Sequence, residues 1–133
     1  MLDVDFVIAV HDQIIEEIGG LPGLAGGGMG AVQAALYRIE MHRAYEALDD
    51  VFGIAGHYAE AIARGHVFND GNKRTALTCA LTYLESECIE IPEVDVIDEV
   101  MVMLADGHIT ASEFSNFLFS VWATHNKPRS QHP

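Results

Sequence analysis

Positive charge is scarce in this chain. Its 133 residues include seven Lys and Arg against 20 Asp and Glu, which gives a formal net charge of -13. Surfaces that bind nucleic acids hold the phosphate backbone with dispersed Lys and Arg side chains, so this balance argues against direct nucleic-acid binding. It favours instead a partner that carries positive charge.

Long hydrophobic runs and cysteines are also rare. No stretch of about 18 uninterrupted apolar residues is available to cross a bilayer, so we expect no membrane-spanning segment. The N-terminus, MLDVDF, is acidic where a secretory signal would be basic, which predicts a soluble, cytoplasmic protein that is not exported. Of the two cysteines, Cys79 falls in an apolar helical stretch, where a buried thiol is the expected state.

Helical periodicity runs along most of the chain. Apolar residues recur at spacings of three and four, and no strand-rich region, repeat or linker interrupts them. The pattern predicts an all-α fold, a compact bundle whose six helices cover approximately residues 6–18, 31–41, 44–64, 71–87, 96–104 and 110–122. Residues 21–30, with one proline and five glycines, are expected to form a flexible loop. We expect one domain at 1–122 and a flexible C-terminal tail at 123–133.

Capping signals mark the starts of several predicted helices. Asp3 or Asp5 is available to cap the first helix, and Asp70 is well placed to cap the fourth. Thr110 and Glu113 have the spacing of a capping box before the sixth helix.

The segment HVFNDGNKRT, residues 66–75, leads into the fourth helix and predicts an anion site there. The first amides of a helix lack intrahelical acceptors, and the helix dipole adds about half a positive charge at that end. Gly71 has no side chain to block phosphate oxygens, and Asn72 can donate a hydrogen bond. Lys73 and Arg74 add two full positive charges.

Two further residues of this segment suit phosphate chemistry. Asp70 supplies a carboxylate beside the anion site, which is the ligand that Mg²⁺ needs from a protein. His66 could take a proton from an attacking hydroxyl, because histidine titrates near neutral pH. Phe68 is expected to anchor the segment by burial. Singly, these residues are explained as a cap or a solvated turn; together they indicate phosphoryl or nucleotidyl transfer.

The segment also resembles the motif of the Fic/Doc superfamily. That motif is HxFx(D/E)GNGRxxR in Fic proteins and HxFx(D/N)(A/G)NKR in the Doc toxins of toxin-antitoxin pairs. The chain follows the Doc form, because Lys73 replaces the second Fic glycine and Leu77 the last arginine. HDQIIEEIGGLPGL near the start, ARGH before the motif and the six-helix layout are similar too, so the resemblance covers about residues 5–122.

This resemblance implies a toxin that is a protein kinase. Doc-type enzymes use ATP, bound in the reverse sense to Fic enzymes, and transfer its γ-phosphate to a threonine of elongation factor Tu, which halts translation. The implied site residues are His66 as base, Asp70 as Mg²⁺ ligand, Asn72, Lys73 and Arg74 as phosphate ligands, and Arg64 as an assisting residue.

The resemblance further implies a Phd-like antitoxin whose C-terminal segment folds into a groove of the toxin. The glycine-rich run at 26–30 could edge that groove, and it is no P-loop, since GxxxxGK[ST] is absent. Two other functions stay open from the sequence alone. One is a Fic-type AMP transferase, and the other is a non-catalytic antitoxin-binding module that retains an anion pocket.

Overall fold

The computed structural model describes residues 2–45 and 50–126 of the chain. Over these residues the secondary structure consists of helices with no strand, which confirms the predicted all-α fold. The elements in chain order are α1 (Val4–Ile18), α2 (Gly28–Tyr45), α3 (Val51–Gly65), α4 (Asn72–Ser86), α5 (Ile97–Ala105) and α6 (Ala111–His125).

Helix α3 forms the centre of the bundle and packs against α2, α4, α5 and α6. Its small residues let the neighbouring helices approach closely. A Cβ atom at Gly56 would lie 2.1 Å from Ser115 Oγ and 2.6 Å from the carbonyl oxygen of Ala111, so only glycine permits this approach of α6. Tyr58 and Ile62 fill the core beside it and are almost fully buried. This packing fixes the end of α3, where residues 66–75, the motif segment, begin.

Two predicted helix starts are confirmed by their capping bonds. The backbone N–H of Phe6 donates to Asp3 Oδ1 at 2.8 Å, so Asp3 rather than Asp5 caps α1. At α6, the Glu113 N–H donates to Thr110 Oγ1 and the Thr110 N–H donates to Glu113 Oε1, which completes the capping box.

Four predicted helix boundaries were wrong, among them the end of α2, which lies at Tyr45 rather than at about residue 41. Helix α2 begins at Gly28, inside the expected loop. The Gly28 N–H donates to Ala25 O at 2.8 Å and closes a turn, and the helix continues directly from this turn. Helix α3 begins at Val51 rather than 44; residues 46–49 of that prediction lie outside the described residues.

Helix α6 continues to His125, so the first three residues of the expected tail are helical, and Asn126 N–H donates to Trp122 O at 2.9 Å. Residues 127–133 lie outside the described part of the chain, and the division into domain and tail stays a prediction.

The burial of Cys79 agrees with the expectation. Cys79 is fully buried in α4, and burial raises the pKa of its thiol to about 12, whereas Cys88 is exposed. No helix within the described residues is long and apolar enough to cross a membrane.

Candidate active site

The motif segment turns sharply at His66, which follows the last residue of α3. Its backbone lies in the left-handed region, with φ 47° and ψ 42°. This conformation costs a residue other than glycine roughly 1 kcal/mol, and such strain is often found at functional sites. The turn leaves the His66 side chain exposed at the mouth of a pocket.

A pocket of about 320 Å³ lies between the end of α3, the start of α4 and the end of α5. Asn69 and Asp106, which the sequence analysis did not single out, also line it. Six residues of the predicted site come together in its wall: His66, Asp70, Gly71, Asn72, Lys73 and Arg74.

The start of α4 is open to an anion. Gly71 occupies the N-cap position with φ 76°, and no side chain caps the helix. The first helical bond runs from the Thr75 N–H to Gly71 O at 3.0 Å, so the amides of the three residues before Thr75 have no intrahelical acceptor. These amides and the helix dipole favour a negatively charged ligand.

Asp70 does not cap α4, so that prediction was wrong. The left-handed turn at Gly71 takes the N-cap position and leaves Asp70 outside the helix. One carboxylate oxygen accepts from the Gly71 N–H at 2.9 Å, and the other accepts from the Leu21 N–H at 3.2 Å. The Asp70 carboxylate therefore orients the segment, and Asp70 is also one of the residues that line the pocket.

Lys73 and Arg74 contribute the positive charge of the pocket. Both side chains are exposed, and neither forms a hydrogen bond or ion pair with another residue of the described chain. Each cation in the first turn destabilises the helix by roughly 0.3 to 1 kcal/mol, because it lies at the positive end of the helix dipole. A bound anion would offset that cost.

The side chain of Asn72 forms two hydrogen bonds with the backbone of Phe68 in the motif segment. Its Oδ1 accepts from the Phe68 N–H at 3.0 Å, and its Nδ2 donates to the Phe68 carbonyl oxygen at 2.9 Å. The predicted phosphate donor is thus largely engaged by the backbone. Phe68 itself is 2% exposed, as expected of an anchor.

His11 is a site residue that the sequence analysis missed. Its side chain is fully buried, and its ring stacks on Phe68 with centroids 3.8 Å apart and planes 4° from parallel. Its Nε2 lies 2.7 Å from the carbonyl oxygen of Asp70, which can only accept, so Nε2 carries a proton. The available signal was a histidine four residues after Val7, on the buried face of α1.

The glycine-rich loop before α2 is tied to the motif segment by the backbone. The Ala25 N–H donates to Val67 O at 2.9 Å, and the Asn69 N–H donates to Gly23 O at 3.1 Å. These bonds give the loop a defined path along the motif segment, unlike the flexible loop that its composition predicted.

Arg64 does not line this pocket, and the assisting role that the resemblance implies stays a prediction. Its Nε donates to Leu104 O at 2.8 Å, and its two terminal nitrogens donate to Glu60 Oε2 and to Ile109 O. The guanidinium therefore joins α3 to the end of α5 and to the loop that follows it. We assign Arg64 to the stability of the bundle.

The pocket residues also fit Mg²⁺ that arrives with a phosphate. Mg²⁺ is commonly held by one or two carboxylates together with substrate phosphates and water. Asp70 and Asp106 both line the pocket beside the cationic helix start. Among the described residues no group of three or more His, Cys, Asp or Glu could hold a metal alone, so phosphate oxygens would have to complete the coordination.

The fold and the site thus define a helical protein with a pocket at an uncapped helix start, lined by two exposed cationic side chains. The sequence model described as Fic/DOC family matches residues 1–84. The chain is also similar to "Protein kinase doc" of Escherichia phage P1, with 38% identity over 112 residues, which is 84% of this chain and 87% of that protein. The chain belongs to the Fic/Doc family.

Proposed function

We propose that this protein is the toxin of a toxin-antitoxin pair and acts as a protein kinase. It transfers the γ-phosphate of ATP to a threonine of elongation factor Tu and thereby arrests translation. One observation carries the proposal: the uncapped start of α4, with Lys73 and Arg74 available, opens into the same pocket as His66. The name of the phage P1 relative, a protein kinase, supports it.

The triphosphate binds the first amides of α4, and Lys73 and Arg74 neutralise its negative charge. His66 accepts the proton of the target hydroxyl as its oxygen attacks the γ-phosphorus. The bond from the γ-phosphorus to the bridging oxygen breaks, and ADP leaves. Asp70 would hold Mg²⁺ together with the phosphate oxygens, and the ion would supply further charge neutralisation.

Labelled ATP tests the reaction directly. Purified protein is incubated with Mg²⁺, elongation factor Tu and ATP labelled in either the α- or the γ-phosphate. We expect label on elongation factor Tu from γ-labelled ATP alone, and loss of labelling in His66→Ala and in Lys73→Ala. Arg38→Ala, which removes an exposed cation outside the pocket, is the matched control and should retain labelling.

The other outcomes separate the competing functions. Label from the α position alone identifies an AMP transferase and contradicts the kinase. If neither label moves although ATP binds, the protein is a binding module.

A Phd-like antitoxin is the proposed partner. Expression of this chain alone should arrest growth, and expression of the neighbouring short reading frame should relieve the arrest. Harmless expression of an active, folded protein would contradict the toxin assignment.

A further inference from the structure

A groove follows helix α4 away from the active-site pocket. Its near part is a hollow of about 200 Å³ between α4 and α5, and Lys73 and Arg74 line both this hollow and the active-site pocket. Its far part is a hollow of about 410 Å³ beside the segment that leads into α5, and Leu77 and Asp98 line both hollows. Because neighbouring spaces share wall residues, the two hollows form one α4–α5 groove that opens into the active-site pocket.

Apolar side chains line most of the α4–α5 groove. Leu77 and Leu81 lie one helical turn apart on α4 and supply one side of its far part. In the near part, α5 contributes the buried Met101 and the exposed Val102. The far part is completed by the apolar side chains of Ile91, Pro92, Val94 and Ile97. The groove can therefore accept apolar side chains of a partner.

Three carboxylates give the far part of the groove a negative charge. Glu93, Asp95 and Asp98 are exposed and line it. None of the three forms a hydrogen bond or ion pair with another residue of the described chain. The described residues that line this part include no Lys, Arg or His. Its charge therefore favours a ligand that carries a cationic side chain.

The length of the groove and its charge fit a polypeptide. From Lys73 to Leu81 the groove follows eight residues of α4, about 12 Å, which roughly four residues of extended polypeptide would span. Phosphate groups do not suit the far part, because its three carboxylates would repel them. An extended segment that carries both apolar and basic side chains matches the walls of the groove.

We infer that the α4–α5 groove binds the polypeptide segment next to the accepting hydroxyl of the protein substrate. This inference rests on the proposed function and adds the chemistry of the substrate: apolar side chains for the walls of the groove and a Lys or Arg for the carboxylates of its far part. With the accepting hydroxyl at His66, the flanking residues leave the active-site pocket past Lys73 and Arg74 and continue along α4.

Two neighbouring carboxylates on α5 test the charge of the groove. Asp98 lines the groove and Glu99 does not, and both lie in the first turn of α5, so a change at either residue has the same effect on the helix dipole. Transfer of γ-labelled phosphate to elongation factor Tu is measured, and its KM is determined separately from the KM for ATP. Asp98→Lys should raise the KM for elongation factor Tu about tenfold at low salt and less at high salt, whereas Glu99→Lys should change it less than about twofold.

A second neighbouring pair tests the apolar contact. Val102, which is 44% exposed, lines the groove, and Met103, which is 42% exposed, does not. Val102→Asn should raise the KM for elongation factor Tu about fivefold, and Met103→Asn should leave it unchanged. In all four variants kcat and the KM for ATP should stay within about twofold of the wild-type values.

An unchanged KM for elongation factor Tu in Asp98→Lys and Val102→Asn overturns the inference, as does an equal rise in the two control variants. It is also overturned if the KM for ATP rises instead, since the groove then binds the nucleotide. Loss of neutralisation by the co-expressed antitoxin alone overturns it as well, since the groove then binds the antitoxin. If the wild-type protein transfers no label to elongation factor Tu, the proposed kinase function fails, and the inference fails with it.

Discussion

The Nε2 atom of His11 lies 2.7 Å from the backbone carbonyl oxygen of Asp70, 59 residues further along the chain. The same ring stacks on Phe68, so α1 holds the motif segment at two points. One hydrogen bond sets the direction of the peptide between Asp70 and Gly71, and this peptide leads into the open start of α4. We assign His11 as a positioning residue of the active site.

His11→Phe should lower kcat about tenfold, because the new ring can stack on Phe68 but leaves the Asp70 carbonyl without its donor. The measurement is transfer of γ-labelled phosphate, with the KM for ATP determined separately. Val7→Ala, which empties a buried position four residues earlier on α1, is the control. It should lower the free energy of unfolding by about 2 kcal/mol and leave kcat unchanged. Equal losses of kcat in both variants would show that His11 acts through stability alone.

The backbone strain at His66 should be separable from its chemistry. His66→Gly removes the side chain from a left-handed position, so we expect a gain in stability of up to about 1 kcal/mol together with loss of labelling. Within the described chain, His66 and Cys88 are the two residues other than glycine that have a positive φ, and that of Cys88 is 64°. Cys88→Gly is therefore the matched control and should stabilise similarly while retaining activity. Urea unfolding measures the stability, and a destabilised His66→Gly would contradict the assignment of strain.

Periodicity predicted all six helices, since each buries one face along its own stretch of sequence. The start of α2 was missed because Gly28 and Gly30 favour loops by composition, while the helix is completed by a turn closed on Ala25. Six residues of the predicted site could be grouped from the sequence because they lie within one short segment, and they line one pocket. The sequence could not indicate the distant backbone partners of these side chains: Asp70 O lies 59 residues from His11, and Leu104 O and Ile109 O lie 40 and 45 residues from Arg64.

Burial of Cys79 should make the stability sensitive to alkaline pH. The folded-state pKa, about 12, lies above the ordinary value of 9.0, so the contribution is complete below pH 9 and declines as the pH rises towards 12. Between pH 8 and pH 10 the wild-type protein should lose about 1 kcal/mol more than Cys79→Ala. Urea unfolding at both pH values measures this difference. Cys88→Ala removes an exposed thiol and should follow the wild-type protein; an identical pH response in Cys79→Ala would contradict the argument.

The contacts of Arg64 predict a loss of stability without a loss of chemistry. Arg64→Met removes the bonds to Leu104 O, Ile109 O and Glu60, and should lower the free energy of unfolding by about 2 kcal/mol. Measured below the unfolding transition, its kcat should stay within about twofold of the wild-type value.

The ion pair with Glu60, with 2.9 Å between Nη1 and Oε2, allows a double-mutant cycle. Because Glu60→Gln removes the same pair, the combined loss of stability should be smaller than the sum of the single losses. Arg38→Met, at an exposed cation outside the active-site pocket, controls for the change in net charge. A large fall in kcat for Arg64→Met with unchanged unfolding would instead support the catalytic role that the family resemblance implied, and would require the guanidinium to leave its carbonyl partners during the reaction.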